Sequence, residues 1–193
     1  MVPVMAKIEK QTDIDDLVIR ARTDSEALGQ LYEMYYEPIF RFCIHRLFCR
    51  ETAEDVTSTV FLAVAAQIRT FAGRTQADFR NWLYAIAVNH TNAYIRKTSR
   101  RIKLFASAAG SIAAADNDCT VDKNSPDWPT LYSAILKLKP NHQTIVTLRF
   151  FEKMDFEQIG KIINIRPAAV RVALHRILKK LKNRLQTIAD RGP

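Results

Sequence analysis

Arg171, Val172, His175 and Arg176 fall close together near the end of the chain, and Lys179 and Lys182 follow at the next turns. An arginine can bond O6 and N7 of guanine with two hydrogen bonds, and a valine can touch the methyl of thymine. Lysines farther along a helix are placed for phosphates rather than base edges. At helical periodicity Ala168, Ala169, Val172, Arg176 and Lys179 lie opposite an apolar stripe of Val170, Leu174, Ile177 and Leu181, with Arg171 and His175 on one flank. The small residues at the leading end would let that end sink into a major groove. The plainer reading of the same residues is a helical bundle with a solvated basic face.

The rest of the chain sharpens this. Of its 193 residues, 29 are Lys or Arg and 20 are Asp or Glu, a net charge of +9. Residues 1–99 and 100–130 are each balanced, so the whole excess lies in 131–193. Such asymmetry points to two modules with different tasks and to an anionic partner, nucleic acid before a membrane surface. Arg96, Lys97, Arg100, Arg101 and Lys103 make a second, local basic cluster. No apolar run is long enough to span a bilayer, so membrane insertion is not expected. Three cysteines, Cys43, Cys49 and Cys119, do not make a disulfide scaffold and suit a reducing cytosol. Cys43, His45 and Cys49 have no second cluster to complete a metal site, so they read as core or surface residues. Neither a phosphate-cradling glycine loop nor a partnered nucleophile is present, so the expectation is a non-enzyme without cofactor or metal.

The elements that carry these residues are helical. Only 5 glycines and few turn signals argue against a β-rich fold. Leu28, Leu31, Tyr32, Tyr35, Ile39 and Phe42 form one stripe behind a Ser25 cap, with a kink or break expected at Pro38. Val56, Val60, Phe61, Val64 and Ile68 form the next, over Thr52–Phe71. Residues 71–78 read as a loop, and Phe79–Arg96 as a third helix with Phe79, Trp82, Leu83, Ile86 and Ala93 inward. Leu104–Asp127 is rich in Ala, Ser, Asp and Asn and reads as a flexible linker, with a surface helix over Ala106–Ala115 as the alternative. The final module places Asp155 and Gln158 as a capping box, Asn164-Ile165-Arg166 as a tight turn and Pro167 in the first turn of the basic helix. Two short helices, a tight turn and a basic second helix make a helix-turn-helix pattern. The fold class is all-α, with two small helical domains and a linker: an extension over 1–23, a first domain over 24–103, a linker over 104–127 and a helix-turn-helix domain over 128–193.

The stretch "LYSAILKLKPNHQTIVTLRFFEKMDFEQIGKIINIRPAAVRVALHRILKKLKNRL" resembles the promoter-reading C-terminal domain of bacterial sigma factors of the extracytoplasmic-function group. "ALGQLYEMYYEPIFRF", "TAEDVTSTVFLAV" and "FRNWLYAIAVNHTNAYIRKTSRR" resemble that family's N-terminal domain, in its order and spacing. The resemblance implies a promoter-specificity subunit that binds core RNA polymerase, directs it to promoters and helps melt the minus-ten region. It places core-polymerase binding on the helix face of Glu54, Asp55, Ser58 and Thr59, with Asp55 as the principal carboxylate. Ser58-Thr59 stands where the family shows Gln-Glu, so one acidic contact is missing. The loop Phe71–Asp78 would capture a base flipped from the melted minus-ten strand, using Phe71, Arg74 and Gln76. Asn89, Asn92 and Arg96 would meet the minus-ten DNA, and Lys97, Arg100 and Arg101 its phosphates. Arg171, Val172, His175 and Arg176 would read the duplex minus-thirty-five element while Lys179 and Lys182 hold its backbone. A cytoplasmic location and control by an anti-sigma protein are further implications. The other reading is a free-standing helix-turn-helix regulator that binds duplex DNA without polymerase.

Overall fold

The computed structural model describes the backbone over 14–108 and 128–189 and the side chains over 14–101 and 130–186. Among these residues the secondary structure is helical throughout, with no strand. A short helix α1 covers 14–20; α2 is Ser25–Leu47, α3 Arg50–Gln67 and α4 Gln76–Ala108. The second module holds α5 Trp128–Leu136, α6 Pro140–Val146, α7 Phe156–Ile163 and α8 Pro167–Ala189.

In the first module α2 begins one residue earlier than expected. Asp24, not Ser25, is its cap, and its carboxylate accepts from the Glu26 N–H at 2.9 Å. The helix ends at Phe48, whose left-handed backbone (φ 55°) turns its N–H back onto the Ile44 carbonyl. Pro38, where a kink or break is expected, does not end α2, which runs through it. An interior proline costs about 3 kcal/mol, but Tyr35, Ile39, Phe40 and Phe42 are all buried around it. Each such side chain returns about 1.5–3 kcal/mol on burial, so packing outweighs the lost bond. The α3 stripe Val56, Val60, Phe61 and Val64 is buried as expected, with Ile68 in the 3-10 turn that follows. On α4, Phe79, Leu83, Tyr84, Ile86, Ala87 and Val88 face the core, Trp82 is half-buried and Ala93 is exposed, contrary to its expected place on the stripe.

Two boundaries differ from expectation. Leu17, Val18 and Ala21 are buried, so the described part of the 1–23 extension belongs to the first module's core. α4 continues to Ala108, so the first residues of the expected linker are helical; 109–127, including most of the Ala106–Ala115 alternative, lie outside the described residues.

The second module follows its capping signals. Asp155 accepts from the Gln158 N–H at 2.8 Å while Gln158 Oε1 accepts from the Asp155 N–H at 3.0 Å, which is the capping box. α7 stops at Asn164 in the left-handed region (φ 55°), and the Ile165 N–H bonds the Gly160 carbonyl. A side chain on Gly160 would meet the Ile165 carbonyl oxygen at 2.7 Å, so the tight turn needs glycine there. Val170, Leu174, Ile177 and Leu181 are buried beneath α8.

The two modules pack against each other: α4 meets α6 and α7, and α2 meets the π-helical turn Thr147–Phe151. Among the described residues Cys43, His45 and Cys49 are not gathered with other ligands into a metal site. Cys43 is a buried free thiol, His45 stacks against Phe151 and Cys49 takes a hydrogen bond from Thr52.

Candidate nucleic-acid interface

α8 carries its basic face into solvent because the opposite stripe is consumed by the core. Arg171, Val172, His175, Arg176, Lys179 and Lys182 are all exposed, Val172 to 50%. None of the six pairs with a described carboxylate, since the ion pairs of the described residues are Arg20 with Asp16 and Asp24, and Arg50 with Glu54. Their charge is therefore free for an external anion. Arg171 lies 5.3 Å over the Phe156 ring while Arg149 lies 4.8 Å from it, so α7 supplies an aromatic support for the first base-reading candidate.

On α4, Asn89, Arg96, Lys97, Arg100 and Arg101 are exposed along one side. Asn92 is not with them. It is 6% exposed and accepts a 2.7 Å hydrogen bond from Arg46. Helical spacing alone puts Asn92 on the face of Asn89 and Arg96, but the Arg46 guanidinium of α2 holds it in the buried interior.

The segment ahead of α4 is more ordered than a plain loop. Thr75 Oγ1 accepts from the Asp78 N–H at 3.1 Å, and Asp78 accepts from the N–H groups of Thr75 and Arg74, each at 3.2 Å. This is a second capping box, Thr-x-x-Asp, and the signal was present in the sequence. The hydrogen bond with Thr75, followed by the backbone bonds, holds the Asp78 carboxyl below its usual range. Arg22 donates to the Gly73 carbonyl, and Asp15 accepts from the Gln76 N–H at 2.6 Å, so α1 and its exit clasp the loop. A side chain on Gly73 would collide with Phe71 and Asp78. Arg74 is exposed and Gln76 half-buried. Phe71 stacks on Trp82 with centroids 4.6 Å apart, so one ring face is already occupied.

A third surface lies on α3. Glu54, Asp55, Ser58 and Thr59 share an exposed face. Glu54 is partly neutralised by Arg50 at 3.0 Å, which leaves Asp55 the unpaired acid. Ser58 and Thr59 donate back to the carbonyls of Glu54 and Asp55, at 3.0 and 2.9 Å. Leu62, one turn on from Ser58, is 71% exposed and extends this ridge with an apolar knob. Its position off the apolar stripe of α3 marks it in the sequence.

Comparison with known proteins accords with this arrangement. The family profile for Sigma-70 region 2 matches residues 31–101, and that for Sigma-70 region 4 matches 130–181. The sigma factor BldN of Streptomyces coelicolor is 27% identical over 86% of this chain, which spans 63% of that relative's length. The sigma factor CarQ of Myxococcus xanthus is 30% identical over 69% of this chain and 74% of its own. The sigma factor RpoE of Bartonella quintana, solved with the anti-sigma factor NepR, has the same fold with a TM-score of 0.63 at 16% identity, covering 82% of this chain and 96% of its own. With both family profiles matched in order, and with relatives such as BldN that are themselves ECF RNA polymerase sigma factors, the chain belongs to the RNA polymerase sigma factors of the extracytoplasmic-function (ECF) group.

Proposed function

We propose that the three surfaces divide the work of a sigma factor, which brings core RNA polymerase to a promoter. α8 reads the minus-thirty-five duplex through Arg171, Val172, His175 and Arg176, with Lys179 and Lys182 on phosphates. The segment Phe71–Gln76 and the exposed side of α4 (Asn89, Arg96, Lys97, Arg100, Arg101) engage the minus-ten region and its melted strand, with Asn92 joining once uncovered. Glu54, Asp55, Ser58 and Thr59 on α3, extended by Leu62, dock on core polymerase. The observation that carries this reading is the pairing of an unneutralised basic α8 face with an exposed Asp55 on the other module. A regulator acting alone on duplex DNA would need no such second surface, and both family profiles match in order. We read the factor as non-catalytic and cytoplasmic; among the described residues no helix is long and apolar enough to cross a membrane. By analogy with RpoE, an anti-sigma protein is a partner of the same modules.

The test is a pull-down titration of core polymerase with the parent chain and Asp55→Lys. Reversing this charge at a desolvated contact is expected to cost about 2–4 kcal/mol. Equal retention of both proteins would remove α3 from the polymerase interface.

A further inference from the structure

We propose that the cavity between α2, α4 and the turn ahead of α7 is a binding site for a small phosphate-bearing metabolite. The cavity measures about 530 Å³, within the roughly 300–1,000 Å³ of small-molecule sites. Three cations line it, each from a different element: Arg41 on α2, Arg80 on α4 and Lys153 in the turn. Among the described residues none of the three has a carboxylate within ion-pair distance. Arg80 is half-buried and lies 5.8 Å over the Tyr84 ring, which steadies its guanidinium. Two guanidiniums and an ammonium around one cavity suit phosphoryl oxygens, because each guanidinium presents a planar fork of donors and the lysine adds a point charge. Pro38 and Phe151 supply an apolar wall for the rest of the ligand.

Three features separate this cavity from an ordinary basic surface. Lys153 stands at a left-handed backbone position (φ 53°), where glycine is the favoured residue. A lysine kept there puts a charge on the cavity against the preference of its own backbone. Tyr35 also lines the cavity, is 5% exposed, and its hydroxyl has no hydrogen-bond partner. A buried O–H without an acceptor is costly, and a phosphoryl oxygen supplies one. Glu152, the acid among the lining residues, does not cancel the cations. It accepts from Tyr84 OH at 2.6 Å, and burial raises its carboxyl above the usual range against the pull of that bond and of Arg41 and Arg80. Three cations facing one such acid leave the cavity positive. Gln76, assigned above to the melted strand, lines the same cavity, so a DNA phosphate is the competing occupant.

The test titrates inorganic pyrophosphate into the full-length chain by calorimetry, free of polymerase and at constant ionic strength. Lys153→Gly removes a cation and gives the backbone the residue it favours, so this variant keeps the fold. Arg80→Gln and Tyr35→Phe alter the site from its other walls, and Arg176→Ala on α8 controls for diffuse attraction to basic charge. The parent should bind saturably. Lys153→Gly and Arg80→Gln should each weaken binding by about tenfold or more, and Tyr35→Phe by about threefold, while Arg176→Ala changes it by less than about twofold. Absence of saturable binding by the parent, or an equal loss with Arg176→Ala and Lys153→Gly, would overturn the site. A labelled random pool of single-stranded DNA, about 15 nucleotides long, is titrated in parallel by anisotropy. Strand affinity that Lys153→Gly and Arg80→Gln leave unchanged supports the small-molecule site. Strand affinity that falls as far as pyrophosphate affinity would give the cavity to a DNA phosphate and overturn the metabolite assignment.

Discussion

At the scale of single residues, the two kinds of contact assigned to α8 must fail differently. Arg176 is exposed on the face that would enter the groove, and Lys179 lies one turn farther on. Losing a base reader is expected to cost about 1–3 kcal/mol and to relax choice at one or two positions. Losing a phosphate contact should weaken all sequences alike and reduce the salt slope by about one. Transcription from a panel of promoter variants by holoenzyme carrying Arg176→Ala or Lys179→Ala, at several salt concentrations, separates them. An unchanged order of preferred promoters with Arg176→Ala would take base reading away from that residue. Much at this scale was legible from spacing, because α8 has one apolar stripe and everything off it faces water. Asn92 was not legible. Its neighbours Asn89 and Arg96 in helical register are exposed, and its burial is tied to a hydrogen bond from Arg46, 46 positions away on α2.

At the scale of elements, the short turns do the positioning. Gly160 lets α7 close onto the start of α8, since any Cβ there meets a backbone oxygen. Gly160→Ala is expected to lower stability by about 1–3 kcal/mol through overpacking of this turn. It should also tilt α8 enough to weaken minus-thirty-five binding; denaturant unfolding with a duplex-binding assay reads both. A variant as stable as the parent would show that the turn relaxes freely. The Thr75–Asp78 capping box does the same for the segment proposed to meet minus-ten DNA. Asp78→Ala removes acceptors for two backbone N–H groups, a loss of about 1 kcal/mol. Faster amide exchange at Arg74 and Thr75 is the expected result, and unchanged exchange would count against it. The Asp155–Gln158 box was read correctly because an apolar run follows it. The Thr75–Asp78 box obeys the same rule but was hidden by the surrounding Gly73, Arg74 and Gln76, which suggest only a loop. Pro38 lies inside α2 without ending it, because the burial that supports the helix around it is a property of the assembled core.

At the scale of the whole molecule, charge asymmetry and two apolar patterns made the two modules legible. Their mutual packing was not. The Arg46–Gln143 contact joins residues 97 positions apart, and neither belongs to a periodic pattern. Nor did composition show that the extension's helix would bury Leu17 and Val18 and clasp the segment before α4. What both modules together imply is a factor that works through polymerase. The direct measurement is strand opening, by permanganate footprinting of promoter DNA selected by the holoenzyme, with the chain alone, core polymerase alone and the two combined. Promoter-specific opening only in the combined reaction is the result this account predicts. A specific duplex footprint from the chain alone, with no opening added by core polymerase, would contradict it.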